Sequence, residues 1–284
     1  MGPDLLPSRR TLLAEAAAAL SAAGVGEARR EALRLWSELL GGAAEVLLDG
    51  DAEADPGLAS VLRAAVRRRA AGEPLPHVTG RVGFRTLTLK CDRRALIPRP
   101  ETEGLVDLLL ARARTGHAVD VGTGSGCLAL SLALEGGFDR LTAVDRSGEA
   151  LALAGENRDA LGLPVTLVRG DLCRALRPGS ADAVISNPPY LTEQEYTALD
   201  RSVKAWEPAA ALVSGPEGLD ATGRLLEEAR DLLRPGGWLA VEVDCTRASR
   251  VAGRAGALGW MDVAIHADLF GRERYLLARR SAEP

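Results

Sequence analysis

Along residues 1–75 the apolar positions recur with helical spacing. Leu13, Ala17 and Leu20 share one predicted helix face, and Leu33, Trp36 and Leu40 share another. Leu58, Val61, Leu62, Ala65 and Val66 repeat at i, i+3, i+4, i+7 and i+8, which marks a third buried stripe. Gly41-Gly42 and Asp55-Pro56-Gly57 break the runs. The expectation is a small helical bundle over 1–75. At GEPLPHVTG (72–80) two prolines and two glycines change the texture, and residues 76–98 read as a linker. Within it, VGFRTLTLKCD sets Phe84, Leu87 and Leu89 against Arg85, Thr86, Thr88 and Lys90, the alternation of a short β-hairpin. ALIPRPETEGLVDLLLAR then opens a helix, with Glu101 and Glu103 at its start and Leu105, Leu108 and Leu109 on its buried face.

From about residue 117 the period switches to strand, turn, helix, repeated. AVDV, LTAVD, VTLVRGD, ADAVIS and WLAVEV read as buried strands with helical stretches between most of them. Such alternation implies a parallel sheet with helices on both faces. MDVAIHAD and RYLLARR leave no room for a helix between them and should pair antiparallel, giving seven strands with one reversed. Residues 99–284 therefore read as one α/β domain.

Composition removes some function classes. A formal charge of −4 over 284 residues gives no global reason to bind nucleic acid, and the 1–75 segment is near neutral. Residues 80–100 carry six basic side chains against Asp92 alone, either solvated or facing a partner protein. Cys91, Cys127, Cys173 and Cys245 form no CxxC pair, which suits reduced thiols in a cytoplasmic protein; with three scattered histidines they give no metal site. PSRRTLLAEAAAALSAAG superficially has the layout of a signal peptide, but Glu15 interrupts it and an amphipathic helix fits better. MGPDLL lacks the Ser or Thr of a myristoylation signal, and no apolar run reaches membrane-spanning length.

VDVGTGSGCLAL places Gly122, Gly124 and Gly126 between a strand and its helix, where glycines let backbone N–H groups approach a ligand. Asp145 ends the next strand, where a carboxylate can accept both hydrogen bonds of a ribose diol. The glycines alone are equally a tight strand–helix junction; Asp145 favours a nucleotide cofactor. Cys127 replaces the last glycine of the dinucleotide fingerprint, and GxGxG preceded by Asp120 better suits S-adenosylmethionine, which has no pyrophosphate.

VISNPPYL (184–191) closes another strand with an asparagine and two prolines. Consecutive prolines fix two φ angles and push Asn187 out of the helical region. Asn187 Oδ1 and the Pro188 carbonyl can accept both hydrogens of a planar –NH₂ group while Tyr190 packs on its flat face. An amide or aromatic amine is a poor nucleophile, and a stiff pair of acceptors would aim it at an electrophilic methyl. An ordinary proline turn is the alternative for these residues taken alone.

The ordered set GEPLPHVTG, LIPRPETE, DVGTGSGCLAL, SNPPYL, WEPAAALVSGPEGL and GRERYLLARR resembles the HemK/PrmC family of peptide chain release factor glutamine methyltransferases over nearly the whole chain. That resemblance implies a Rossmann-like class I S-adenosylmethionine-dependent methyltransferase domain behind an N-terminal helical bundle and a β-hairpin linker. It implies that Gly122, Thr123, Gly124, Ser125, Gly126, Asp145 and Leu172, with Asn187, bind S-adenosylmethionine. Asn187, Pro188, Pro189 and Tyr190 would bind the substrate, with Asn187, Pro188 and Tyr190 catalytic. The implied reaction methylates the side-chain amide nitrogen of the glutamine in a release factor's Gly-Gly-Gln motif, with the helical bundle gripping the partner and no nucleic acid or membrane required. NPPY is shared with adenine-N6 methyltransferases of DNA and RNA, and a paralogous group modifies a ribosomal protein; IPRPETE favours release factors. Two departures stand out. Leu172 occupies a position often aromatic in the family, and VEVDCTRA keeps Glu242 but not the glycine and glutamine that often follow, so that loop receives no role.

Overall fold

The computed structural model describes residues 7–42 and 47–282; the MGPDLL considered for myristoylation lies outside them. By their contacts the residues form two units. One holds the chain up to Gly80 with Arg201–Trp206; the other holds Arg81–Asp200 and the chain from Glu207 onward.

In the smaller unit, α1 (Arg9–Ala22), α2 (Ala28–Leu40) and α3 (Pro56–Ala70) pack together with the short α4 (Leu75–Thr79). Their core is Leu12, Leu13, Ala16, Leu20, Ala32, Leu35, Trp36, Ala59, Leu62, Ala65 and Val66. The α3 stripe differs from the expected one, since Leu58 and Val61 are exposed and Ala59 is buried. At 100° per residue the 59–62–66 stripe lies one position away, and that is the face the neighbouring helices cover. Asp55 caps α3 by accepting from the Gly57 and Leu58 amides at 2.8 and 3.1 Å, beside Pro56 in the first turn. Such a cap is worth about 1 kcal/mol.

The larger unit begins with the hairpin β1 (Arg81–Phe84) and β2 (Leu87–Lys90). Its sheet contains β3 (His117–Val121), β4 (Arg140–Asp145), β5 (Val165–Arg169), β6 (Ala181–Ser186), β7 (Leu233–Glu242), β8 (Met261–Ala267) and β9 (Glu273–Arg279) in the order β5-β4-β3-β6-β7-β9-β8. β9 runs antiparallel to both neighbours and the other pairings are parallel, as the strand pattern predicts. Side chains alternate between two cores. Ala118, Ala183, Ile185, Ala240 and Leu277 join α5 (Glu103–Leu110), α6 (Cys127–Glu135) and the hairpin's Phe84, Leu87 and Leu89. Val119, Val121, Val184, Leu239, Val241 and Leu276 face α8 (Asp220–Leu232) and α9 (Ala248–Ala257), and α7 (Gly148–Leu161) joins β4 to β5. The RPGG run after α8 lies inside the next strand. β7 starts at Leu233, and the shift in pairing between Ala181 and Ala183, with Gly236 at φ 80°, absorbs those residues.

The chain goes outward from β3 through β4 to β5, then returns to β6 on the other side of β3. Ligands of open α/β sheets gather at that switch, beyond the strand C-termini. Here Val121 pairs with Ser186, whose hydroxyl donates to the Val121 carbonyl at 2.6 Å. The glycine turn and the Asn-Pro-Pro corner therefore leave the sheet side by side.

Candidate functional site

Gly122, Gly124 and Gly126 all have φ between 56° and 88°, the left-handed region that favours glycine. A Cβ at Gly122, which lines the cavity described below, would meet no protein atom within 4 Å beyond its chain neighbours. At Gly126 it would press on Leu130 and Ala154, so that glycine serves helix packing. The Gly122 and Thr123 amides donate to the Val144 carbonyl at 2.8 and 3.0 Å, tying the turn to β4. Asp145 accepts from the Gly124 amide at 2.9 Å and the Ser147 amide at 2.8 Å, which orients its carboxylate while each oxygen keeps a further lone pair.

Asp120 is fully buried in β3. Its Oδ2 accepts from the Thr123 hydroxyl at 2.6 Å and the Ala129 amide at 3.1 Å, while Oδ1 has no partner. Burial pushes the carboxyl up to about 7, partly offset by those two donors. An orphaned buried acceptor beside a glycine turn is a place for a ligand's donor or positive charge.

Asn157, on the buried face of α7, braces this turn. It donates to the Ser125 carbonyl at 2.9 Å, and exchanges hydrogen bonds with the Lys90 backbone at 2.7 and 3.2 Å. Periodicity places Asn157 inward; a buried amide on an otherwise apolar helix face was the available signal for this role.

At the corner, the Asn187 Nδ2 donates to the Thr102 hydroxyl at 3.1 Å, and no described residue donates to its Oδ1. The Thr102 hydroxyl donates onward to Glu242 Oε2 at 2.6 Å, and the Tyr190 hydroxyl reaches Glu242 Oε1 at 3.4 Å. Glu242, without a role from sequence, thus sits buried behind the corner; burial raises its proton affinity above the usual carboxylate range. Burial, with the Glu242 charge second, also raises the Tyr190 phenol, which therefore stays protonated. Gly218 makes room for the corner, because a Cβ there would lie 2.3 Å from the Tyr190 carbonyl oxygen. Leu191 then donates to Leu212 and accepts from Ser214, both at 2.8 Å.

A cavity of about 290 Å³ lies between these loops, near the lower end of small-ligand sites. Of the residues singled out in the sequence, Gly122, Thr123, Gly124, Ser125, Asp145, Leu172, Asn187 and Pro189 line it together. Gly126, Pro188 and Tyr190 do not: Gly126 caps α6, Pro188 is buried, and Tyr190 stands against Glu242. Pro98, Arg99, Pro208 and Ala211 add a wall. Buried Glu207 pins it by accepting from the Ile97 amide at 3.1 Å and from Arg99 at 2.6 Å. Arg99 is thereby held in a salt bridge with Glu207.

The basic 80–100 segment is largely neutralised within its own unit. Arg85 binds Glu135 and Asp107, Lys90 binds Glu156, Arg94 binds Asp92 and Glu156, and Arg99 binds Glu207. His77 is buried within α4 of the smaller unit. Among the described residues no group of three or more His, Cys, Asp or Glu side chains converges as a metal site would, and no helix is long and apolar enough to cross a membrane.

The unobstructed face of Gly122 and the oriented Asp145 carboxylate, both lining the cavity, fit a nucleoside such as S-adenosylmethionine. Comparison with known proteins agrees. A PrmC N-terminal domain model matches residues 11–80 and a methyltransferase small domain model matches 100–210. A methyltransferase from Pyrococcus furiosus shares the fold, with a TM-score of 0.53 and 21% identity over 77% of this chain and 98% of that one. The release factor glutamine methyltransferase of Deinococcus radiodurans is 40% identical over 96% of this chain and 98% of its own length. The protein of that name from Moorella thermoacetica is also 40% identical, over 96% and 99%. This chain belongs to the release factor glutamine methyltransferase family, whose members are S-adenosylmethionine-dependent enzymes.

Proposed function

We propose that the protein methylates the side-chain amide nitrogen of the glutamine in the Gly-Gly-Gln motif of peptide chain release factors, in the cytoplasm. The observation that carries this reading is the orientation of Asn187. Its –NH₂ end is committed to Thr102, which leaves Oδ1 as an open acceptor at the cavity. No described donor takes the Pro188 carbonyl either. Two such acceptors suit the two hydrogens of a carboxamide –NH₂ and would hold its nitrogen toward the glycine turn. S-adenosylmethionine, when bound, supplies an electrophilic methyl group on a sulfonium. That methyl would pass to the glutamine nitrogen, the electron pair of the S–C bond staying on sulfur. The nitrogen then releases one proton, toward Asn187 Oδ1 or the Pro188 carbonyl and on to water. Orienting both reactants in this way can supply roughly 7–11 kcal/mol of the barrier lowering. Within this reading, Gly122, Thr123, Gly124, Ser125, Gly126, Asp145 and Leu172, with Asn187 beside them, hold the cofactor. Asn187, Pro188, Pro189 and Tyr190 hold the substrate. The division into 1–75, 76–98 and 99–284 then separates partner grip, linker and catalysis.

Methyl transfer from radiolabelled cofactor into a purified release factor tests this. Label should enter the wild-type factor and vanish when the motif's glutamine is changed to alanine. Equal label in that variant, or label in DNA or RNA instead, would remove the proposal.

A further inference from the structure

Thr102, Asn187 and Tyr190 converge, directly or through one hydroxyl, on the single buried carboxylate of Glu242. We propose that Glu242 is a positioning residue that fixes, through the Thr102 hydroxyl, which end of the Asn187 amide faces the reacting nitrogen. The inference rests on the reading of Asn187 as the acceptor for a substrate –NH₂ group.

The argument is one of hydrogen-bond direction. An ionised carboxylate only accepts, and a hydroxyl has one proton to give. The Thr102 proton goes to Glu242 Oε2 at 2.6 Å, so toward Asn187 the hydroxyl offers only a lone pair. The Asn187 end that meets it, at 3.1 Å, must then be the –NH₂. A flipped amide would set Oδ1 against an oxygen with no proton to donate, and would present hydrogens to a substrate whose own hydrogens need acceptors. Charge at Glu242 thereby sets the polarity of a bond at the cavity. Sequence separations of 140 and 85 residues hide this chain of contacts from local reading.

The same logic makes the relay sensitive to protonation. Glu242 faces Glu101, Cys127, Tyr190 and Tyr275, with Arg274, itself paired with Asp268, as the neighbouring cation. Burial, the largest influence, raises its proton affinity above the ordinary carboxylate level. Once Glu242 takes a proton it can donate to Thr102, which can then donate to Asn187 Oδ1, and the amide loses its fixed direction. Turnover should fall as pH drops through a value higher than an ordinary glutamate's.

Glu242→Gln keeps the shape and removes the acceptor-only end. Expected is a fall in kcat for release factor methylation of about 10- to 100-fold, the scale seen when an outer partner of a functional group is lost. S-adenosylhomocysteine affinity should stay as in wild type, and the acid limb of the pH profile should disappear. Thr102→Val should lose turnover similarly, and Thr102→Ser should recover most of it. Independently of activity, the Asn187 side-chain ¹⁵N–¹H resonances of the free protein, identified by their loss in Asn187→Ala, should move in Glu242→Gln. Wild-type turnover together with unmoved resonances would overturn the inference and leave the methylation reading standing. If Glu242→Gln does not fold, full turnover in Thr102→Val overturns it equally. Absence of transfer by the wild-type enzyme to any release factor would remove the methylation reading and this inference with it.

Discussion

The glycine turn and the proline corner leave adjacent strands at one edge of the sheet, yet they reach rigidity by opposite means. The turn uses residues that tolerate positive φ, and its shape comes from hydrogen bonds to β4, Asp145 and Asn157. The corner uses residues whose φ is fixed in advance, and needs side-chain bonds only to orient Asn187 and Tyr190. Each has a buried carboxylate behind it, and these differ in one respect. Glu242 has both oxygens engaged by the protein, whereas Asp120 keeps Oδ1 without a partner. The carboxylate behind the corner is thus fully engaged by the protein, and the one behind the turn is not. Damage at Asp120 should appear in cofactor binding and apo stability, and damage behind Asn187 in turnover.

The largest expected effect is at Asp120. Its folded-state value of about 7 lies above the 3.8 of a free side chain, so the folded protein holds this proton more tightly than the unfolded chain. The associated stability is fully present below about pH 4 and is lost as pH rises toward 7. At about 1.4 kcal/mol per tenfold change in proton affinity, the loss is on the order of 4 kcal/mol. Urea unfolding of the cofactor-free protein across that window should show it as the difference between wild type and Asp120→Asn. At pH 7 the variant should also bind S-adenosylmethionine more weakly. Parallel stability profiles for the two proteins would show that Asp120 is not held in its neutral form.

At the corner, Asn187→Ala should lower kcat/KM for the release factor by about 3 kcal/mol, the cost of losing one oriented polar group at a reacting centre. Cofactor affinity should change far less. A variant that loses both equally would mean that Asn187 serves the cofactor more than the substrate, and the division between turn and corner would fail. Smaller again is Asn157→Ala, which removes the brace between the Ser125 carbonyl and the hairpin. Its expected cost is about 1–2 kcal/mol in cofactor affinity, the scale of a buried hydrogen bond left unmade, with kcat retained. Calorimetric titration beside steady-state kinetics separates the two quantities.

Much of this site is legible in the sequence because its signals are local. Strand, glycine turn and helix follow one another within a dozen residues, and the prolines sit beside the asparagine they fix. The reversed β9 follows from the short gap between two strand-like runs. What was not legible depends on partners far along the chain. Glu242 acquires its role from Thr102 and Tyr190, and Glu207 from Ile97 and Arg99. The six cations of residues 80–100 look like a patch because the acids that neutralise several of them, Asp107, Glu135, Glu156 and Glu207, lie outside that window. Gly218 looks like any loop glycine until the Tyr190 carbonyl is placed against it. The α3 stripe was misplaced by one position because two overlapping apolar stripes compete there and only packing chooses between them.

Leu172 offers the finest test of the turn side. It lines the cavity at φ 52° and packs against the same core as Val144 and Leu225. If the adenine of the cofactor rests on this side chain, an aromatic ring should add a stacking contribution of about 0.5–1.5 kcal/mol beyond simple burial. The positive φ is already borne by a branched residue, so Phe adds bulk without a new backbone demand. Leu172→Phe should therefore tighten S-adenosylmethionine about three- to tenfold and leave kcat unchanged, because the ring acts equally on ground and transition states. Leu172→Ala should weaken binding in the same assay. Unchanged affinity in both variants would move the adenine to another wall of the cavity, and an altered kcat would mean that the turn and the corner are not independent.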